Sequence, residues 1–371
     1  MIYLWGGFTV KVGLVTKGVT MIALYLTSMG EVAGKSLLCA ALGRTLKKEG
    51  KRVGFLKPVA ILPEKGGDGT VDKDTEFIKR VLALEEPTDL LCPSTLTAKD
   101  FLASANEKEP VWLKKAKEAF TKVSQDKDIV LLEGVSGFKA GSGAALAGSR
   151  TVETLGAKAI LIVSYQSDID ASQIVTTAKA LAGNLLGVIV NSVPERWMES
   201  VEANLVPSLE KNGLKVLGVL PEDRTLLAVS VGELAQYLGG SILNSSESSE
   251  NLVESVMVGA MSPDPAVSYL SLKQNKAVVT RGDRADIQLA ALSTPTSCLI
   301  LTNDIKPLPN VLSHASELKV PVVLVKESTV RTMEALESVL EKAKFSHQKK
   351  VERLAQLIKR HLNLEPIYKA A

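Results

Sequence analysis

The sequence predicts an α/β protein in which a doubly wound parallel sheet is followed by a smaller α/β domain. Three observations predict it. From Met21 to Pro221 short apolar runs alternate with stretches of helical length, the order of a parallel sheet with crossover helices. The run AKAILIVSY (157–165) is apolar throughout rather than alternating, as a strand covered on both faces requires. After Pro221 the character shifts, and past the polar stretch NSSESSEN (244–251) a second strand–helix series begins.

The first series opens with IALYLT (22–27), a glycine-bearing loop and a helix near 35–49. A strand RVGFLKP (52–58) ends at Pro58, and helices follow near 74–83 and 111–124. Next come the apolar strand DIVLLEG (128–134) and a glycine-rich loop to Gly148. The strand 157–165, a helix near 170–182, the strand LLGVIVN (185–191), a helix near 195–211 and the strand LKVLGVLP (214–221) complete the series. In the second series SVGELAQYLGG (230–240) reads as a short helix with a glycine stop. The strands KAVVTRG (276–282), SCLILTN (297–303) and VPVVLVK (320–326) follow, with a helix near 328–343. In HQKKVERLAQLIKRHL (347–362), Val351, Leu354, Leu357, Ile358 and Leu362 share one helical face, ringed by basic residues. That pattern is expected to dock on the body or on a second subunit rather than on a membrane or nucleic acid. The divisions expected are 1–20, 21–225, 226–345 and a basic amphipathic tail at 346–371.

At 371 residues the chain is long enough for two or three domains with real cores. A net charge of +3 gives no overall pull toward nucleic acid or anionic membrane, and 4% aromatic residues weigh against a base-stacking surface. His314, His347 and His361 are unclustered, which argues against zinc and Ser-His-Asp chemistry. Cys39, Cys92 and Cys298 are widely spaced and read as buried thiols in a reducing, cytoplasmic compartment. Residues 1–20 lack the order of a signal peptide, because Lys11 and Lys17 break the apolar run. They read either as an extension upstream of Met21 or as an extra edge strand. No run is long enough to span a membrane.

The segment TSMGEVAGKS (27–36) joins a buried strand to a helix. Such a turn gathers backbone N–H groups at a helix N-terminus, where they bind phosphate. Ser28, Gly30 and Gly34 belong to this loop. Lys35 supplies charge for terminal phosphates and Ser36 a hydroxyl for magnesium. The strict phosphate-loop pattern wants glycine where Met29 stands, so the motif departs by one residue. A carboxylate on a neighbouring strand end supports it: Glu133 closes DIVLLEG. Asp74 is a further acid, either a metal contact or a helix-start residue. Lys57 and Asn191 close two other strands at the same sheet edge, where open α/β folds bind ligands. An amide at Asn191 can read an adenine edge.

These pieces, in this order, resemble the dethiobiotin synthetase-like branch of P-loop proteins. VAGKS, Lys57-Pro58-Val59, Asp74, Glu133-Gly134-Val135-Ser136-Gly137 and Val190-Asn191 follow that family's succession of motifs over about 21–222. The resemblance implies ATP phosphates on Gly34, Lys35 and Ser36, magnesium (Mg2+) on Ser36, Asp74 and Glu133, Lys57 facing substrate or terminal phosphate, and Asn191 at the base. The second series, with Thr280-Arg281-Gly282-Asp283-Arg284-Ala285-Asp286 after a strand, resembles the DRTGG domain, although the naming string is absent. The pair resembles the N-terminal, regulatory region of long bacterial phosphotransacetylases. Those regions often lack the loop lysine that this chain keeps. The chain stops where their acetyl-transferring domain would begin, so no acetyl phosphate synthesis is expected.

Two readings follow. One is a nucleotide-binding sensor, expected to be a homo-oligomer, whose partner is a phosphotransacetylase or another metabolic enzyme. The other is an ATP-dependent enzyme that activates a carboxylate, as dethiobiotin synthetase does, with Lys35 and Lys57 as its catalytic cations. Arg281, Asp283 and Arg284 are candidates for a second-domain anion site. Equally, each arginine can pair with Asp283 or Asp286 and leave no site, with Asp283 capping the next helix.

Overall fold

A computed structural model describes residues 21–30, 34–62, 72–104, 107, 109–181, 183–340 and 347–369. The expectations for 1–20 and for loop positions 31–33 lie outside the described residues. The first domain holds β1 (Ile22–Ser28), β2 (Val53–Leu56), β3 (Ala60–Leu62), β4 (Thr95–Thr97), β5 (Ile129–Glu133), β6 (Lys158–Ser164), β7 (Leu185–Val193) and β8 (Val216–Pro221). Six of these form one parallel sheet in the order β2-β5-β1-β6-β7-β8. The chain winds from β1 outward in both directions, so the crevice beyond the C-terminal end of β1 is the switch point where such sheets bind ligands. Register fixes what meets there. Leu26 pairs with Glu133, Ser28 with Ile162, and Ser164 with Asn191.

Strand residues 129–132 and 159–163 are buried on both faces, which explains their unbroken apolar runs. The helix Lys35–Lys48 covers one face through Leu37, Leu38, Ala41, Leu42 and Leu46. The tail helix Gln348–His361 returns from the far end of the chain to the same core, burying Val351, Leu354, Leu357 and Ile358 there. Arg44 meets Glu352 at 2.9 Å, and Asn363 N–H donates to the Leu217 carbonyl at 2.7 Å. Gly218 permits this closure: a Cβ there would stand 2.0 Å from the His361 carbonyl oxygen.

The second domain adds β9 (Val229–Ser230), β10 (Ser241–Ile242), β11 (Leu252–Val253), β12 (Ser255–Val258), β13 (Lys276–Arg281), β14 (Thr296–Thr302) and β15 (Val322–Leu324). Its sheet runs β10-β15-β14-β13-β12, parallel except for β10. Three of the five strands were expected. The two edge strands are too short to show a period.

Elsewhere the structure departs from expectation in two ways. The helix expected near 195–211 is broken into Glu195–Trp197, Met198–Ser200, a wide π turn at Val201–Leu205 and Val206–Lys211. Pro207 lacks an N–H and its ring displaces the carbonyl four residues back, which interrupts a regular ladder. The glycine-rich stretch to Gly148 is loop only as far as Ser142, which caps the helix Gly143–Leu155.

Candidate nucleotide site

Glu133 ends a strand and is only 3% exposed. A buried carboxylate needs partners. Its Oε1 accepts from the Ser36 hydroxyl at 2.8 Å and lies 3.5 Å from Lys57 Nζ. Its Oε2 is buried with no hydrogen-bond partner among the described residues. The Ser36 hydroxyl is also 3.3 Å from Asp74 Oδ2. Ser36, Asp74 and Glu133 thus converge from one helix start, a second helix start and a strand end. Two carboxylates and a hydroxyl are hard oxygen donors, and the spare Glu133 oxygen is an open acceptor for a cation. The set fits magnesium, with the remaining positions left to water and phosphate. Among the described residues no three His, Cys, Asp or Glu side chains gather as a metal group, here or elsewhere, so the set rests on two carboxylates and a hydroxyl.

Lys35, 7% exposed, turns back into the crevice. Its Nζ donates to Ser28 Oγ at 3.1 Å and Ser136 Oγ at 2.5 Å. Burial pulls its pKa down, and the nearby Glu133 charge pulls the other way without cancelling the effect. Gly34 stands at φ 64°, a left-handed conformation that glycine takes without strain, and starts the helix with no side-chain cap. Helix starts of this kind present N–H groups that suit phosphate. A Cβ on Gly34 would meet Asn191 Nδ2 at 3.8 Å, so Asn191 lies beside the loop. Gly30 accepts from Ser28 Oγ at 2.8 Å through its carbonyl.

Lys57 is held between Asp72 at 2.9 Å and Glu133. Burial works against its charge, but Glu133 and then Asp72 outweigh it, so its pKa is raised. Asp72 also accepts from Thr75 N–H at 3.0 Å, capping the helix Lys73–Val81. Asp72 and Ser136 are the residues that reading the sequence did not single out. Asp72 sits two places before Asp74 with the same side chain, so composition could not separate them. Ser136 lay inside the quoted Glu133–Gly137 string.

The glycines of that string serve packing. A Cβ on Gly134 would lie 2.4 Å from the Tyr25 ring and hydroxyl, and one on Gly148 would lie 2.6 Å from the Phe138 ring. Tyr25 and Phe138 are both fully buried.

In the second domain Arg281 pairs with Asp283 at 2.7 Å and Arg284 with Asp286 at 2.9 Å. Of the two arrangements considered for these arginines, the internally paired one is found. Arg284, not Asp283, occupies the cap position of the helix Ala285–Leu292, and Asp283 is spent on Arg281.

Comparison with known proteins agrees with this architecture. A family model described as an AAA domain matches residues 23–230, and one described as a DRTGG domain matches 233–339. Phosphate acetyltransferase of Nitrosomonas europaea is 26% identical over 369 residues, covering 94% of this chain and 52% of that protein. ATP-dependent dethiobiotin synthetase of Caldicellulosiruptor saccharolyticus is 29% identical over 119 residues, covering 32% of this chain and 49% of that protein. Among solved structures, cobyrinic acid a,c-diamide synthase from Mycobacterium smegmatis covers 55% of this chain and 88% of its own at 17% identity, with a TM-score of 0.36. The chain spans about half the length of the curated relatives it matches. With its AAA model covering more than half of the residues, the chain belongs to this dethiobiotin synthetase-like AAA (P-loop) family, carries a DRTGG domain behind it, and is homologous to the N-terminal region of phosphate acetyltransferases.

Proposed function

We propose that the chain is an ATP- and magnesium-binding sensor. The observation that carries this reading is the Ser36 hydroxyl bound to Glu133 and near Asp74, beside a buried Glu133 oxygen with no partner among the described residues. In the loaded site Lys35 leaves its serines for the terminal phosphates, and the uncapped helix start at Gly34 holds the phosphates between. Ser36, Asp74 and Glu133 would hold magnesium, which would supply positive charge against the phosphates. Asn191 contacts the base. The partner is a phosphotransacetylase or another metabolic enzyme, the chain is a cytoplasmic homo-oligomer, and these two domains do not themselves transfer acetyl groups. Among the described residues no helix is long and apolar enough to cross a membrane.

The sensor reading needs contacts that join the first domain to the second. One set lies at the end of β8. Asp223 accepts from Arg353 of the tail helix at 2.8 Å and caps the turn Arg224–Leu227. Thr225 in that turn donates to Glu254, just before β12, at 3.0 Å. His347, which starts the tail helix, meets the Glu250 carbonyl at 2.9 Å. A ligand in one domain shifts the other only through such differential contacts, and the effect is reciprocal. Amide hydrogen exchange with and without magnesium-ATP tests this. Changed protection in 250–258 supports the sensor. Changes confined to 22–225 speak against it.

A second reading is favoured by the part-buried Lys57 facing Glu133 and by the match to an ATP-dependent dethiobiotin synthetase. It is ATP-dependent activation of a carboxylate substrate, with Lys35 and Lys57 as catalytic cations. ADP release that rises on adding small carboxylic acids separates it from the sensor.

A further inference from the structure

Three serine hydroxyls belong to this crevice, two of them on the loop lysine, and they are not equivalent. Ser36 Oγ is bound to Glu133 and near Asp74. Ser28 Oγ accepts from Lys35 but is fully buried and donates its own proton to the Gly30 carbonyl. Ser136 Oγ accepts from Lys35 Nζ at 2.5 Å, and among the described residues nothing takes its proton. Ser136 is also exposed, on the loop between β5 and the helix Gly143–Leu155.

That loop is anchored on either side of Ser136. Gly134 is wedged against Tyr25, and Phe138 donates its N–H to the Ser28 carbonyl at 2.8 Å. Gly137, next in the chain, itself takes φ 73°, a conformation that other residues adopt only with strain. A free, solvent-facing hydroxyl is thereby fixed against the ammonium group that faces a terminal phosphate.

We propose that Ser136 is a phosphoryl acceptor, modified by the nucleoside triphosphate bound in its own site. This rests on the nucleotide-binding reading above. In the transfer, Ser136 Oγ forms a bond to the terminal phosphorus. The bond from that phosphorus to its bridging oxygen breaks, and the nucleoside diphosphate leaves with the electron pair. The hydroxyl proton passes to solvent. Phosphoryl transfer proceeds through a loose transition state, so an acceptor needs position and nearby positive charge more than a strong base. Lys35 supplies the charge. The phosphoserine then presents strong acceptor oxygens to Lys35 in place of a weak hydroxyl, holding that lysine on the 134–142 loop after the diphosphate leaves.

The test uses the full chain with magnesium and ATP labelled in the terminal phosphate, followed by phosphopeptide mapping, and calorimetric ATP binding on the same preparation. The expected result is one phosphoryl group per chain on the peptide holding Ser136. The label should resist hydroxylamine, be absent in S136A, and be retained in S136T. The circular dichroism spectrum and unfolding midpoint of S136A should match wild type, so that a missing label is not a missing fold. ATP binding without label overturns the acceptor role alone. So does label that persists in S136A, or that hydroxylamine releases, since that places it on a carboxylate such as Asp74. No ATP binding at all overturns both this role and the reading beneath it.

Discussion

Lys57 holds together two acids that burial would otherwise make costly. Asp72 and Glu133 lie on different elements, and this lysine is the cation between them. Removing one partner of a buried pair leaves an uncompensated charge, so Lys57→Met should destabilise the fold by about 3 kcal/mol in denaturant titration. The pH dependence has a defined sign. Because the folded pKa of Lys57 is raised, its contribution is fully present below the ordinary lysine value and is lost only as pH rises through the higher folded one. The deficit of Lys57→Met should therefore stay flat from about pH 6 to about pH 9. A variant as stable as wild type would show that the pair supports nothing. At this scale most of the site was legible. Lys35, Ser36, Lys57, Asp74 and Glu133 carry residue types that phosphate and magnesium demand at strand and helix ends. The Asp72 partnership was not legible, because which of two acids two residues apart faces a lysine depends on the helix start between them.

The loop after β5 shows how an element can be glycine-rich for two different reasons. Gly137 provides a left-handed turn, whereas Gly134 and Gly148 make room for Tyr25 and Phe138. Gly134→Ala would force a methyl group against a buried tyrosine ring and should cost about 1–3 kcal/mol by thermal or chemical unfolding. Gly134 directly follows Glu133, so the same change should also weaken nucleotide binding. Gly137→Ala, with open space around its Cβ, should cost only backbone strain. If Gly134→Ala melts like wild type, Tyr25 does not define the loop. The long strands were readable because two-sided burial writes an unbroken apolar run. The ladders β3–β4 and β9–β11 have three and two residues per strand, too few to leave a periodic trace.

At the scale of the molecule, the tail joins regions far apart in sequence. Its apolar face was visible as a stripe at helical spacing, and the structure seats that stripe in the first core rather than on the second domain that precedes it. Periodicity reveals that a face is buried but not against what, which is why the return was not readable. The same return puts Arg353 on Asp223 and His347 on Glu250, so the tail touches both the first domain and the entry to the second sheet.

All of this converges on the crevice at the end of β1, where Ser36, Asp74 and Glu133 gather. Calorimetric titration of the full chain with ATP, with magnesium and in its absence, tests that site most directly when Lys35→Ala and Glu133→Gln are run beside the wild type. Wild type should bind saturably and more tightly with magnesium. Lys35→Ala should lose on the order of 2–4 kcal/mol of binding free energy, as for one member of a desolvated charge pair. Glu133→Gln should bind with an affinity that no longer depends on magnesium. Binding that is equal with and without the metal in wild type, or undiminished in Lys35→Ala, contradicts the assignment.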